Sequence, residues 1–246
     1  MTPFPGTVTM EAMREADVKV LFQNQDIAVV DKPAGVAVHE GESVSRSQSL
    51  ISTLEAHFRS RKENAFLVHR LDRETSGCLL IVKRRDLVEP WEEFFREGRV
   101  EKEYLALIKG RPFRREGVIE RSLPGRGGHL VPAVTRYRVE FSSPHEAVSC
   151  VRVRPETGRK HQIRLHFSGL GFPLVMDPLY GDFAFNKHFR RRFSLKRMFL
   201  HALSITFPLG KKRTTVVSPL AEDLAAVLES LHPGFSLSTG WEKRGS

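Results

Sequence analysis

The segment His69-Arg70-Leu71-Asp72-Arg73-Glu74-Thr75-Ser76-Gly77 crowds two carboxylates, two arginines, a histidine and two hydroxyls into one short stretch. Apolar, strand-like runs flank it, Phe66 to His69 before and Cys78 to Lys83 after. Loops held between strands are common places for reactive groups. An aspartate beside arginine favours its charged form, which suits a nucleophile or a base. A polar turn in which Asp72 bonds nearby backbone amides satisfies the same pattern equally well.

A second stretch is Thr157-Gly158-Arg159-Lys160-His161-Gln162-Ile163-Arg164-Leu165-His166. Gly158 permits a sharp entry into a helix expected over Arg159 to Ser168 and ended by Gly169 or Gly171. On that helix Lys160 and Arg164 share a face at i,i+4, opposite an apolar stripe of Ile163, Phe167 and Leu170. Two cations near a helix N-terminus can hold phosphate or carboxylate. A solvated amphipathic helix has the same spacing. His161 and His166 stand five apart, which does not place two imidazoles on one face, so a metal site is not indicated. In a third stretch, Lys102, Tyr104 and Ala106 alternate to one face of a strand. Tyr104 can stack on a base there, or simply serve as half-buried core.

These groups need a frame. Val18 to Phe22 and Ile27 to Asp31 read as a hairpin, followed by the turn Lys32-Pro33-Ala34-Gly35 and a strand-like Val36 to Val38. Ser49 caps a helix running to about Phe58, and Asp86 to Glu97 gives another, starting near Glu89 because of Pro90. Val100 to Ile108, Val118 to Arg121, Thr135 to Phe141, Ala147 to Val153, Leu200 to Phe207 and Thr214 to Val217 are further strands, and Leu220 to Leu231 is a closing helix. Strands outnumber helices and come in meander-like series. That predicts an α+β fold with a large, mainly antiparallel mixed sheet. Residues 1–16 read as a flexible leader, 17–232 as a single catalytic domain and 233–246 as a C-terminal tail.

Lysine and arginine number 39 against 29 acidic residues, a formal net charge of +10. Such an excess suits a polyanionic partner, most often nucleic acid, although a basic protein of another kind carries it too. No apolar run approaches the roughly 20 residues needed to span a bilayer. Met1 to Ala16 lacks the apolar core of a secretory signal. Cys78 and Cys150 sit in apolar runs with no CxxC or Cys/His cluster, so neither a disulfide framework nor a zinc site is expected. A cytoplasmic location fits these features.

Taken together, these segments resemble the RluA family of RNA pseudouridine synthases. HRLDRETSG fits that family's HRLD-x-x-TSG signature, which holds its catalytic aspartate. IAVVDKPAGVAVH precedes it; EKEYLALIKG, TGRKHQIRLHFSGLGFPLVMDPLYG and LHALSITF follow in family order, from about Val18 to Pro219. Met176 stands where the family commonly has glycine, and no RNA-binding S4 domain is expected ahead of the catalytic region. The resemblance implies a pseudouridine synthase fold around a central cleft and a cofactor-free reaction. The N-glycosidic bond of a uridine breaks, the freed uracil rotates, and it rejoins the sugar through carbon 5.

The resemblance further implies that Asp72 is the catalytic carboxylate and that Arg164 pairs with it. Tyr104 would pack on the target base and help to deprotonate carbon 5. Arg70 would enter the gap left by the flipped nucleotide. Arg73, Arg159, Lys160, His161, Arg190, Arg191 and Arg192 are further expected RNA contacts. The stretch from Tyr180 to Ala202 looks most like the TruC branch, which modifies tRNA. The expected partner is therefore structured RNA, tRNA ahead of ribosomal RNA, for a monomer with no obligate protein partner. The competing reading is a catalytically silent RNA-binding or ribosome-assembly factor on the same fold. A metal-dependent nuclease would need a carboxylate cluster that the sequence lacks.

Overall fold

The computed structural model describes residues 17–40 and 45–237. The expected leader, residues 1–16, and residues 238–246 of the expected tail lie outside the described residues. In chain order the strands are β1 (Lys19–Gln23), β2 (Ile27–Lys32), β3 (Phe66–Leu67), β4 (Ser76–Val82), β5 (Glu101–Lys109), β6 (Glu116–Glu120), β7 (Leu123–Pro124), β8 (Leu130–Val131), β9 (Val134–Ser143), β10 (Val148–Pro155), β11 (Leu200–Leu209) and β12 (Lys212–Val217). The helices are α1 (Leu50–Arg59), α2 (Val88–Arg96), α3 (Gln162–Gly169), α4 (Phe183–Phe193) and α5 (Glu222–Leu231).

Ten strands form one sheet in the order β1-β2-β4-β11-β5-β10-β9-β6, with β12 on β11 and β3 on β4; β7 and β8 make a separate hairpin. Among the described residues only β4 and β11 pair in parallel; the other ladders are antiparallel. The fold is thus α+β with a large mixed sheet. Alternation along each strand sends side chains to opposite faces. Ala28, Val30, Leu79, Ile81, Tyr104, Ala106 and Ile108 point to the face covered by Leu50, Leu54 and Phe58 of α1 and by Ile163 and Phe167 of α3. On the opposite face Leu105 and Leu107 meet Phe189 of α4 and Leu224, Val227 and Leu228 of α5. Ile27, Val29, Leu80 and Val82 meet Trp91 of α2 on that same side. Phe235 and Leu237, within the expected tail, pack against the α4–α5 core.

Three sequence expectations change. Val36 to Val38 is not a strand. The Ala37 and Val38 carbonyls instead accept from the Leu50 and Ile51 amides at 2.8 and 3.1 Å, satisfying orphan donors at the start of α1. Helix α3 begins at Gln162 rather than Arg159, because His161 holds a left-handed backbone (φ 53°) that a continuing helix cannot contain. Lys160 therefore lies before the helix and does not share a face with Arg164, while Leu170 is exposed rather than part of a buried stripe. Finally, the basic run after Asp182, to which the sequence assigned no element, is the helix α4, capped by the Asp182 carboxylate, which accepts from the Phe185 amide at 2.9 Å.

The sheet forks in its middle. Strands β4 and β11 pair through His201 with Ser76 and Ala202 with Gly77. Beyond that seam β3 takes the edge of β4, while β12 pairs with β11. The chain from Val68 to Thr75 crosses the fork. Gly77 allows the seam: it has φ 109°, and a Cβ there would lie 2.2 Å from the Ala202 carbonyl oxygen. Across the seam the Ser76 hydroxyl meets His201 Nδ1 at 2.9 Å and accepts from Arg197 Nη1 at 3.0 Å. Gly77→Ala is expected to destabilise the protein by about 3 kcal/mol or more, through backbone strain and overpacking together. A urea-unfolding midpoint equal to wild type would show that the two strands do not need this contact.

Candidate active site

The fork opens into a cavity of about 380 Å³ whose walls include Arg70, Asp72, Tyr104, Arg159, Lys160, His161 and Arg164. The three stretches singled out by residue type thus meet at one place. Two devices hold the loop that carries Asp72. Buried Lys32 donates to the carbonyls of Pro33, Val36 and Arg73 at 2.7, 2.7 and 3.0 Å, binding the Lys32–Gly35 turn to the loop. Burial pushes this amine down to about 7. Gly35 and Arg73 also exchange bonds, Gly35 N to Arg73 O at 2.8 Å and Arg73 Nε to Gly35 O at 2.9 Å. On the other side, His69 Nε2 accepts from the Leu80 amide at 2.8 Å, and its ring stacks on Phe95 with centroids 4.5 Å apart. Burial, helped by the Lys102 charge, pushes His69 down to about 3, so it stays a neutral acceptor.

Asp72 faces a chain of charges. Arg164 Nη1 stands 3.3 Å from Asp72 Oδ2. The same guanidinium makes a two-point pair with Asp177, Nε to Oδ2 at 2.7 Å and Nη2 to Oδ1 at 2.8 Å. The Asp177 side chain is fully buried and that of Arg164 is 4% exposed. The Leu179 and Tyr180 amides also donate to Asp177 Oδ1, at 2.9 and 3.0 Å. Burial opposes the Asp177 charge, but the bonds from Arg164 and these amides outweigh it and hold its carboxyl below the ordinary range. Arg164 lies over the Tyr180 ring, 5.0 Å from its centroid; the Tyr180 hydroxyl meets His161 Nδ1 at 2.9 Å, and His161 Nε2 is 3.9 Å from Asp72 Oδ1. Gln162 fixes this edge of the site. Its Nε2 donates to Val134 O and Thr135 Oγ1 at 2.8 and 2.9 Å, and its Oε1 accepts from Arg159 N at 3.0 Å.

Tyr104 presents its ring to the cavity while only 8% exposed. Burial, with the nearby Asp72 charge, pushes its phenol up. Arg70, Arg159 and Lys160 are exposed at the walls. Arg73 is turned to Gly35 instead. Arg190, Arg191 and Arg192 are exposed on α4, whose core residues pack on the face of the sheet opposite Tyr104, and they do not line the cavity. Arg197, at the end of that basic run, pairs with Asp223 at 2.6 and 2.8 Å. Asp177 was not singled out from the sequence, although Asp-Pro in MDPLYG marks a turn; Lys102 stood two residues before Tyr104, on the same strand face. Among the described residues no group of three or more histidines, cysteines or acidic residues is placed to hold a metal. No helix among them is long and apolar enough to cross a membrane.

A carboxylate held by a buried arginine thus faces a cationic cavity where the sheet divides. Residues 26–169 match the family described as RNA pseudouridylate synthase. The chain belongs to that family, and its enzymes convert uridine to pseudouridine in RNA. It is 34% identical over 245 residues to the ribosomal large subunit pseudouridine synthase C of Pasteurella multocida strain Pm70, covering 92% of this chain and 72% of that one. With the protein of the same name from Escherichia coli K12 the figures are 35% over 237 residues, 88% and 70%. An uncharacterized RNA pseudouridine synthase of Zymomonas mobilis is 37% identical over 216 residues, covering 82% of this chain and 93% of its own. Among solved structures, human RNA pseudouridylate synthase domain containing 4 superposes with a TM-score of 0.73 at 25% identity, over 87% of this chain and 92% of that one.

Removing Asp177 tests the charge chain. Asp177→Asn leaves Arg164 buried with one carboxylate, and is expected to lower stability by about 3–5 kcal/mol at neutral pH. Because the folded Asp177 carboxyl is depressed, its contribution is complete above the ordinary carboxyl value near pH 4 and fades as pH falls through the depressed value. Denaturation curves of wild type and variant therefore converge in acid. A constant gap from pH 7 down to pH 3 would place the stabilisation elsewhere.

Proposed function

We propose that Asp72 is the catalytic nucleophile and that the substrate is ribosomal RNA of the large subunit. The observation that carries the first part is the position of Asp72, in a cationic cavity and tied to the buried Arg164–Asp177 pair. The target uridine leaves its helix and enters the cavity; flipping costs a few kcal/mol, which contacts to the extruded base and phosphates offset. Tyr104 packs on the base. Asp72 drives cleavage of the N1–C1′ bond, the uracil turns, and a C5–C1′ bond forms. Carbon 5 loses one proton and N1 gains one, so atoms and electrons balance without a redox partner or external group. Arg70, exposed at the mouth, fills the gap in the RNA, and Arg159 and Lys160 meet its phosphates.

The second part rests on the relatives whose names specify the large ribosomal subunit. They outweigh the likeness of the Tyr180 to Ala202 stretch to a tRNA-modifying branch. We place the reaction in the cytoplasm, with that RNA.

Asp72→Asn is expected to abolish tritium release from carbon-5-labelled uridine RNA while RNA binding stays within roughly tenfold of wild type. Turnover above about a tenth of wild type would remove Asp72 from the nucleophile's role. For the substrate, pseudouridine mapping of total RNA from a deletion strain is expected to lose one or more sites in large-subunit ribosomal RNA. Losses confined to tRNA would overturn that choice.

A further inference from the structure

The turn between β5 and β6 lies at the far end of β5 from the catalytic cavity. Tyr104 and Lys109 are separated by about 17 Å at the rise of an extended strand. From this turn Phe113 projects with its ring wholly in solvent, at 103% of its reference exposure. Arg111, Arg114 and Arg115 flank it and are exposed. The turn is well anchored. Gly110 N donates to Ala147 O at 2.6 Å, Ser149 Oγ donates to Gly110 O at 2.8 Å, and Val139 N donates to Arg115 O at 2.6 Å. Beside Phe113 is an open cavity of about 240 Å³, lined also by Arg111, Arg115, Val139, Phe141 and Ser142, with no carboxylate in its wall.

A single exposed apolar residue is ordinary by itself. Here the ring stands on an anchored turn between exposed arginines, next to a cavity smaller than the roughly 300 Å³ of a typical small-molecule site. Aromatic rings combined with cations are what proteins use to take up unpaired nucleotides. Three exposed arginines beside the ring, and no carboxylate in the cavity wall, give this patch the charge complement of a phosphate backbone. The basic face of α4 continues the same surface, since Arg192 Nε reaches Glu146 in the β9–β10 turn at 3.5 Å, and Pro144 of that turn also lines the cavity.

We propose that this turn is a second RNA site, remote from the reaction, which holds one unpaired nucleotide. Its base stacks on Phe113, and the neighbouring phosphates meet Arg111, Arg114 and Arg115. The proposal rests on the RNA substrate proposed above, which must reach from the cavity to this turn.

The test measures affinity for a large-subunit ribosomal RNA transcript at fixed salt. Phe113→Ala is expected to bind roughly tenfold more weakly, the usual effect of losing one base–aromatic stack. Phe113→Trp restores affinity. Leu130→Ala, which removes an exposed apolar side chain elsewhere, leaves it unchanged. Arg114→Glu with Arg115→Glu flattens the slope of log K against log salt by about 1–2 units. Phe113 makes no core contact, so an unchanged melting temperature accompanies these effects. Affinities of Phe113→Ala and the double charge reversal within twofold of wild type would overturn the proposal, as would a failure of tryptophan to rescue. Binding is read without isomerisation, so absent turnover on this RNA would count against the substrate reading alone.

Discussion

Arg164 is the group on which the site depends. It is a buried cation standing between two carboxylates. A charge out of water is costly unless geometry and further hydrogen bonds are good, and removing one partner is worse than never having built the pair. Asp177 supplies that geometry with both oxygens, and it is itself satisfied by two backbone amides. Only one guanidinium nitrogen is left for Asp72. The longer contact to Asp72 therefore leaves that carboxylate partly open to the cavity while its position is fixed from below.

This arrangement explains why the Asp72 loop lies where the sheet divides. A loop on the rim of a continuous sheet would have solvent beneath it. At the fork, Asp72 has β5 with Tyr104 on one side and α3 with Arg164 on another, and the Lys32 turn holds the loop backbone. Lys32 is spent on three carbonyls because backbone acceptors buried at a junction need donors, and no strand can supply them there.

Much of this was legible in the sequence. Apolar, β-branched runs located the long strands, since a strand buried on both faces, such as β4, reads as a continuous apolar run. The pairing of Asp72 with Arg164 followed from resemblance, and the geometry agrees. Asp177 stayed hidden because its partner is distant along the chain and nothing local announces burial. Helix α4 was missed for another reason: Phe185, Phe189 and Phe193 recur at helical spacing, but intervening arginines dominate the composition. The bond of Arg73 to Gly35 was hidden in the sequence because charge alone suggests solvent and its partner is 38 residues away.

Met176 has a consequence for how this chain can change. It adopts φ 63°, where the resembling family commonly keeps glycine, and a side chain in that region costs roughly 1–2 kcal/mol. Yet its side chain is buried among the residues between the sheet and helices α4 and α5. Restoring glycine would relieve the backbone and leave a hole, and emptying a buried methionine site typically costs about 2–5 kcal/mol. Met176 thereby ties the backbone beside Asp177 to the packing behind the sheet, so a change in the α4–α5 layer reaches the carboxylate that holds Arg164.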